Sequence, residues 1–267
     1  MSNISLKAQE LLESGKVQLV IGYEKGTTGV IRPSFISDPQ KTEKLICDEN
    51  CVQNLAVYLT KPEVRKFGKI GIVAKIPVMR SIMVLISEQQ VKPDDIIVMG
   101  IDSDGSVLEL PDMSVMQAYI ERSDLTISPE YRKKLDEIIA LKPEERFAWW
   151  KKQFEKCIRC YACRQACPMC YCTRCAAEVN QPQWIPVKAT AHGNMDWHIL
   201  RAMHLAGRCV GCGECGRACP VGIPCHLLSM HLSGKVFDHF NVQAGTSVKM
   251  HSAMSTYDPN DKENFII

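Results

Sequence analysis

The chain has 267 residues, 46% hydrophobic and 23% charged, which are ordinary globular values that exclude wholesale disorder. Its 32 basic and 30 acidic side chains leave +2, too little for a nucleic-acid binder that relies on bulk charge. The outlier is cysteine, with 14 residues, all but Cys47 and Cys51 lying beyond residue 156. No run reaches the roughly 18 uninterrupted apolar residues of a membrane span. The opening MSNISLKAQELLESGK lacks a basic-then-apolar signal peptide. The expectation is a cytoplasmic, reducing location, where dense cysteine indicates metal or cluster ligation rather than disulfides.

In chain order, residues 6–16 (LKAQELLESGK) carry helical spacing, with Gly15 as a stop. Strands are predicted at VQLVIGYE and VIRPSFI, separated by Gly26 and Gly29. CVQNLAVYL reads as a short helix, KIGIVAKI as a strand, SIMVLISEQQ as a helix and DIIVMGI as a strand. The last three form a βαβ unit with parallel strands. Residues 1–125 are thus expected as a small α/β platform, and the whole chain as an α+β protein. Residues 126–156 read as a helical linker, where Pro143, Glu144 and Glu145 suit a helix start. Phe147, Trp150 and Phe154 share one face there and are expected to pack on a neighbour. Residues 157–239 form the cysteine-rich domain, and 240–267 a polar C-terminal arm.

Two runs carry the chemistry. CIRCYACRQACP holds Cys157, Cys160, Cys163 and Cys167 before Pro168, and CVGCGECGRACP holds Cys209, Cys212, Cys215 and Cys219 before Pro220. Both have the C-x2-C-x2-C-x3-C-P spacing of bacterial-type ferredoxins. Three thiolates at three-residue intervals wrap three corners of one cubane, and the fourth closes the other. In that crossed pattern Cys157, Cys160, Cys163 and Cys219 hold one 4Fe–4S cluster, and Cys209, Cys212, Cys215 and Cys167 the second. Zinc, which pairs two short C-x2-C elements, fits these runs poorly. With each site near −2, the loaded chain would carry about −2. Arg159, Arg164, Arg208 and Arg217 lie in or beside the motifs, where they ease reduction or are solvated. Gly211, Gly213 and Gly216 let backbone N–H groups approach the sulfurs.

Six cysteines remain. Cys170, Cys172 and Cys175, with Cys47 or Cys51, form a possible third cluster site, the alternative being plain buried thiols, as for Cys225. On MDWHILRAMHLAGRC, His198, Arg201 and His204 share a face, read as packing or hydrogen bonding rather than ligation.

The segments ICDENCVQNLAVYL, KIGIVAKI, DIIVMGI, CIRCYACRQACPMCYC, PQWI, WHILRAMHLAGRCVGCGECGRACP and IPC together resemble the iron–sulfur β-subunit family of deazaflavin-reducing hydrogenases and formate dehydrogenases. The likeness is greatest to the short members encoded beside heterodisulfide-reductase-like electron-bifurcating complexes. It runs from about residue 16 to 245. It implies a cytoplasmic electron-transfer subunit whose partners are the other subunits of a redox complex, with no nucleic acid involved. One departure stands out: family members read Gly-Cys-Asp-Ser-Arg after the KIGIVAK strand, whereas this chain has Ile76, Pro77, Val78, Met79 and Arg80. A cysteine is also expected where Asp102 and Ser103 stand. A redox site built there in relatives is lost or rebuilt here. Flavin (FAD) occurs in the wider family, but no G-x-G-x-x-G follows a strand, and GYEKGTTG reads better as a hairpin.

Three functions compete. The leading one is an electron wire of two cubanes between redox centres of a larger complex. The alternative is a flavin-bearing subunit acting on a deazaflavin or nicotinamide coenzyme. The third is a cluster-dependent structural subunit.

Overall fold

The structure is a computed structural model that describes residues 2–102, 104–108, 110–179, 181–250 and 252–254. The chain divides into two compact units, one comprising the residues up to Ser123 with Gly245–Met250, the other Asp124–Ala244 with the residues beyond 250.

The first unit begins with helix α1 (Asn3–Glu13), capped by the Ser2 hydroxyl, which accepts from the Ser5 amide at 3.3 Å. Ile4, Ala8 and Leu11 fall four and three residues apart and form its buried face. Strands β1 (Leu19–Lys25) and β2 (Ile31–Ile36) make an antiparallel hairpin, as the glycine-bearing turn implied. Pro33 is tolerated because β2 is an edge strand. The predicted helix at CVQNLAVYL is instead a 3-10 turn over Leu55–Thr60. Asn54 redirects the chain there: its Oδ1 accepts from the Ala56 amide while Nδ2 donates to Ser81 Oγ at 2.8 Å.

After the short helix α2 (Pro62–Arg65) come β3 (Ile70–Ala74), α3 (Ile76–Ser87) and β4 (Ile96–Ile101), the expected βαβ unit with β3 and β4 parallel. Helix α3 starts five residues before the predicted SIMVLISEQQ. Pro77 lies in its first turn, where a missing N–H is harmless, so the proline opens the helix rather than breaking it. A short β5 (Val107–Leu108) and helix α4 (Met113–Glu121) complete the unit, with strand order β2-β1-β3-β4-β5. Every residue of β3 is buried, the continuous apolar run of a strand covered on both faces.

Arg80, on α3, is buried. Gly245 (φ +75°) lies against the Arg80 backbone so closely that a β-carbon would collide with it, which accounts for residues 245–250 belonging to this unit. Asp102 accepts from Tyr119 Oη at 2.8 Å; Ser103 and the arm beyond 254 lie outside the described residues.

The second unit is helical: α5 (Pro129–Ile139), α6 (Pro143–Glu155), α7 (Ala162–Gln165), α8 (Ala191–His204), α9 (Glu214–Arg217) and α10 (Cys225–Phe240). The segment read as a linker, α5 and α6, falls inside this unit. Its core joins Phe154 and Trp197 with Ile223, Cys163, Cys215 and Cys225. Of the aromatic face expected on α6, Phe154 is buried and Trp150 half-buried, but Phe147 is 60% exposed. Trp149 turns inward instead, onto the patch of Ile138, Leu227 and Met230. No helix among the described residues is long and apolar enough to cross a membrane.

Candidate functional site

The two cysteine runs fold as matching loops, each followed by a one-turn helix, α7 or α9. Gly211 and Gly213 take left-handed backbone angles (φ +73° and +78°), and their counterparts Arg159 and Tyr161 take the same angles with side chains attached (+56° and +59°). That conformation costs a non-glycine residue about 1–2 kcal/mol, so the first loop must be held by its surroundings. Arg159 Nε donates to Asn194 Oδ1 at 2.8 Å, and its Nη2 to the carbonyls of Gly193 and Pro186. Tyr161 packs edge-on against Trp197. The left-handed residue turns its amide back onto the preceding sulfur: Arg159 N lies 3.4 Å from Cys157 Sγ, and Gly211 N 3.4 Å from Cys209 Sγ. Gly216 serves packing instead, since a β-carbon there would overlap the His226 ring.

The fourth cysteine of each run crosses to the other loop. Cys157, Cys160, Cys163 and Cys219 line one cavity with Trp197 and His198. Cys209, Cys212, Cys215 and Cys167 line a second with His226 and Ser229. Among the described residues no three such side chains converge on the short radius of a single metal ion; the thiols ring the cavities. The walls carry buried polar atoms with no partner: Trp197 Nε1 and His198 Nε2 at the first, both His226 ring nitrogens and Ser229 Oγ at the second. Orphaned donors beside thiols fit a group that accepts hydrogen bonds at many points, as the sulfides of an iron–sulfur cluster do. The residues present therefore fit a 4Fe–4S group at either cavity.

Between the sets sit Arg201 and Cys225. Cys225 Sγ reaches the Cys215 carbonyl at 3.3 Å and hydrogen-bonds both Cys163 and Cys215 sulfurs. That bond brings the Cys215 thiol down to about 7, against the opposing push of burial and with help from Arg201. The Cys167 thiol does the same for Cys170, brought to about 6. Burial pushes Cys209 and Cys157 the other way. His198 stacks on Phe154 at 4.4 Å, and burial, then Arg201 and Arg159, drive its pKa down to about 3, so it is neutral. His204 is exposed and apart from His198 and Arg201, both 4% exposed.

The four motif arginines brace the loops. Arg164 bonds the Cys172 carbonyl and pairs with Glu178; Arg208 reaches the Met169 carbonyl and Tyr171. Arg217 pairs with Glu214 and reaches Tyr131. Of the remaining thiols, Cys47 and Cys51 hydrogen-bond each other in the first unit, and that bond holds Cys47 below its ordinary value despite burial. Cys170 lies on Cys167, Cys172 is exposed and Cys175 half-buried. Sequence reasoning missed Asn194, Trp197, Cys225 and His226. Only the helical spacing of Asn194, Trp197 and Arg201, at i, i+3 and i+7, signals one buried face.

Residues 153–223 match the family of the 4Fe-4S dicluster domain. The chain is similar to the F420-dependent formate dehydrogenase subunit beta of Methanocaldococcus jannaschii, 34% identical over 90 residues, 33% of this chain and 23% of that protein. It is also similar to the F420-dependent formate dehydrogenase 1 subunit beta of Methanococcus maripaludis, 39% identical over 61 residues, 23% of this chain and 15% of that protein. The matches thus cover less than a quarter of these relatives' length. They support the iron–sulfur β-subunit resemblance read from the sequence.

Proposed function

We propose that the chain relays single electrons through two 4Fe–4S clusters, between redox centres on other subunits of a larger oxidoreductase. Cys157, Cys160, Cys163 and Cys219 hold one cluster; Cys209, Cys212, Cys215 and Cys167 hold the other. The observation that carries this reading is the sorting of the eight cysteines into two cavities, each lined by three thiols of one run and the fourth of the other. A bound cluster supplies one-electron acceptance and donation. The chain's own work is positional: the loop amides of Arg159, Gly211 and Ile223 approach thiol sulfurs, and Phe154, Trp197 and Ile223 keep water from the walls. Cys160 is exposed, which suits the first cavity to electron exchange with a partner.

The partners are subunits of a complex such as the formate dehydrogenases of the relatives, and the setting is cytoplasmic. A flavin- or F420-linked activity is the second reading, favoured by the similarity to F420-dependent formate dehydrogenase β-subunits. The test is anaerobic purification with iron, sulfide and flavin assays. About eight irons and eight sulfides per chain without flavin, in an absorbance bleached by dithionite, are expected. About twelve irons would add a third cluster, with Cys170, Cys172 and Cys175 as its candidate ligands. Flavin released by acid would replace the wire with the coenzyme-reducing reading, and zinc without sulfide would end both.

A further inference from the structure

Arg201 is a buried cation set among thiols. It lies on α8 at 4% exposure, and its Nη2 donates to the Cys163 carbonyl at 2.9 Å, in the loop of the first set. The sulfurs of Cys170, Cys215 and Cys167 also lie within the field of its guanidinium. The groups that favour its charge are all sulfurs, and its Nε has no partner. The motif arginines differ: Arg164 and Arg217 have carboxylates of their own, Glu178 and Glu214. A brace for one carbonyl does not require a fully buried guanidinium, because burying an uncompensated charge is costly. Two anionic clusters on either side would compensate it.

We infer that Arg201 is the shared counter-cation of the two clusters and raises both of their reduction potentials. The inference rests on the two-cluster reading above. Reduction adds one electron, and so one negative charge, to a cluster and its four thiolates. A fixed positive charge in a low-dielectric partition favours that step at both sites, because Arg201 faces Cys163 of one set and Cys215 and Cys167 of the other.

The experiment is a dye-mediated redox titration of the anaerobic full-length chain, followed by electron paramagnetic resonance, after iron and sulfide have been counted. Arg201→Gln is expected to keep about eight irons and to lower both midpoints by at least tenfold in the reduction equilibrium, about 59 mV for one electron. Arg201→Lys, which keeps the charge, is expected to lose less than about half of that shift, and Arg164→Gln less than about threefold. Full iron with unmoved midpoints in Arg201→Gln overturns the inference, as does an Arg201→Lys variant that falls as far as Gln. If Arg201→Gln holds no iron, Arg201→Lys decides: midpoints near wild type support the inference, and a tenfold fall overturns it. A wild-type chain without iron and sulfide removes the two-cluster reading and this inference together, whereas a loaded Arg201→Gln with unmoved potentials removes only the role of Arg201.

Discussion

Replacing Asn194 with alanine tests whether the first cysteine loop is held from α8. Asn194 is fully buried; its Nδ2 donates to the Phe154 carbonyl at 3.1 Å and the Cys157 carbonyl at 2.9 Å, while its Oδ1 accepts from Arg159 Nε at 2.8 Å. Two neutral hydrogen bonds contribute about 1 kcal/mol each and the charge-assisted one about 2, so the truncation removes about 4 kcal/mol. It also releases Arg159, whose left-handed backbone then has less to hold it. The expected outcome is a melting temperature lower by roughly 10 °C or more for the anaerobic protein. Iron should be lost first from the cavity lined by Cys157, Cys160, Cys163 and Cys219. Differential scanning calorimetry with iron counts on the same samples measures both. A variant that melts within about 2 °C of wild type with its iron intact would refute the idea that this side chain sets the loop.

Three further outcomes are expected. Gly213→Ala places a β-carbon at φ +78°, 2.7 Å from the Arg217 guanidinium and 2.8 Å from Tyr131 Oη, and should lower stability by about 2 kcal/mol in a urea titration; an unchanged midpoint argues against this loop geometry. His198 has its pKa driven down to about 3, chiefly by burial, so the unfolded chain binds a proton that the folded chain refuses between that value and the ordinary histidine value of about 6.5. Stability of the second unit should therefore fall as pH drops through that window. His198→Phe, which keeps the stack on Phe154, should flatten the dependence, and thermal melts from pH 7 to 4 read it. In the first unit, burial raises the Glu24 carboxyl, but bonds from Ser34 at 2.9 Å and Arg32 at 2.8 Å outweigh it and leave it below the usual range. Its contribution is present above the unfolded value and lost as acid protonates it in the fold. Glu24→Gln should lower stability near pH 7 and narrow the gap to wild type below pH 4; a pH-independent difference would count against the pairing.

The local periodicities and spacings carried much of this protein. Alternating and continuous apolar runs marked β1, β3 and β4, and a two-glycine turn marked the β1–β2 hairpin, because these signals come from which faces water must leave. The cysteine spacing pointed to the cluster chemistry because three thiols on one short loop are a local arrangement. What tertiary structure alone decided is long-range. Nothing local says that Arg159 and Tyr161 adopt the angles of Gly211 and Gly213, since Pro186, Gly193, Asn194 and Trp197, distant in sequence, hold them there. Nor does local pattern place Phe147 in solvent and Trp149 half-buried against Ile138, Leu227 and Met230, a choice made by where α10 and α5 leave room. Arg201 looked like one more polar residue on an amphipathic helix. Its burial among four thiols from separate loops exists only once both loops have folded against α8, because a charge's environment is set by every chain segment within its field.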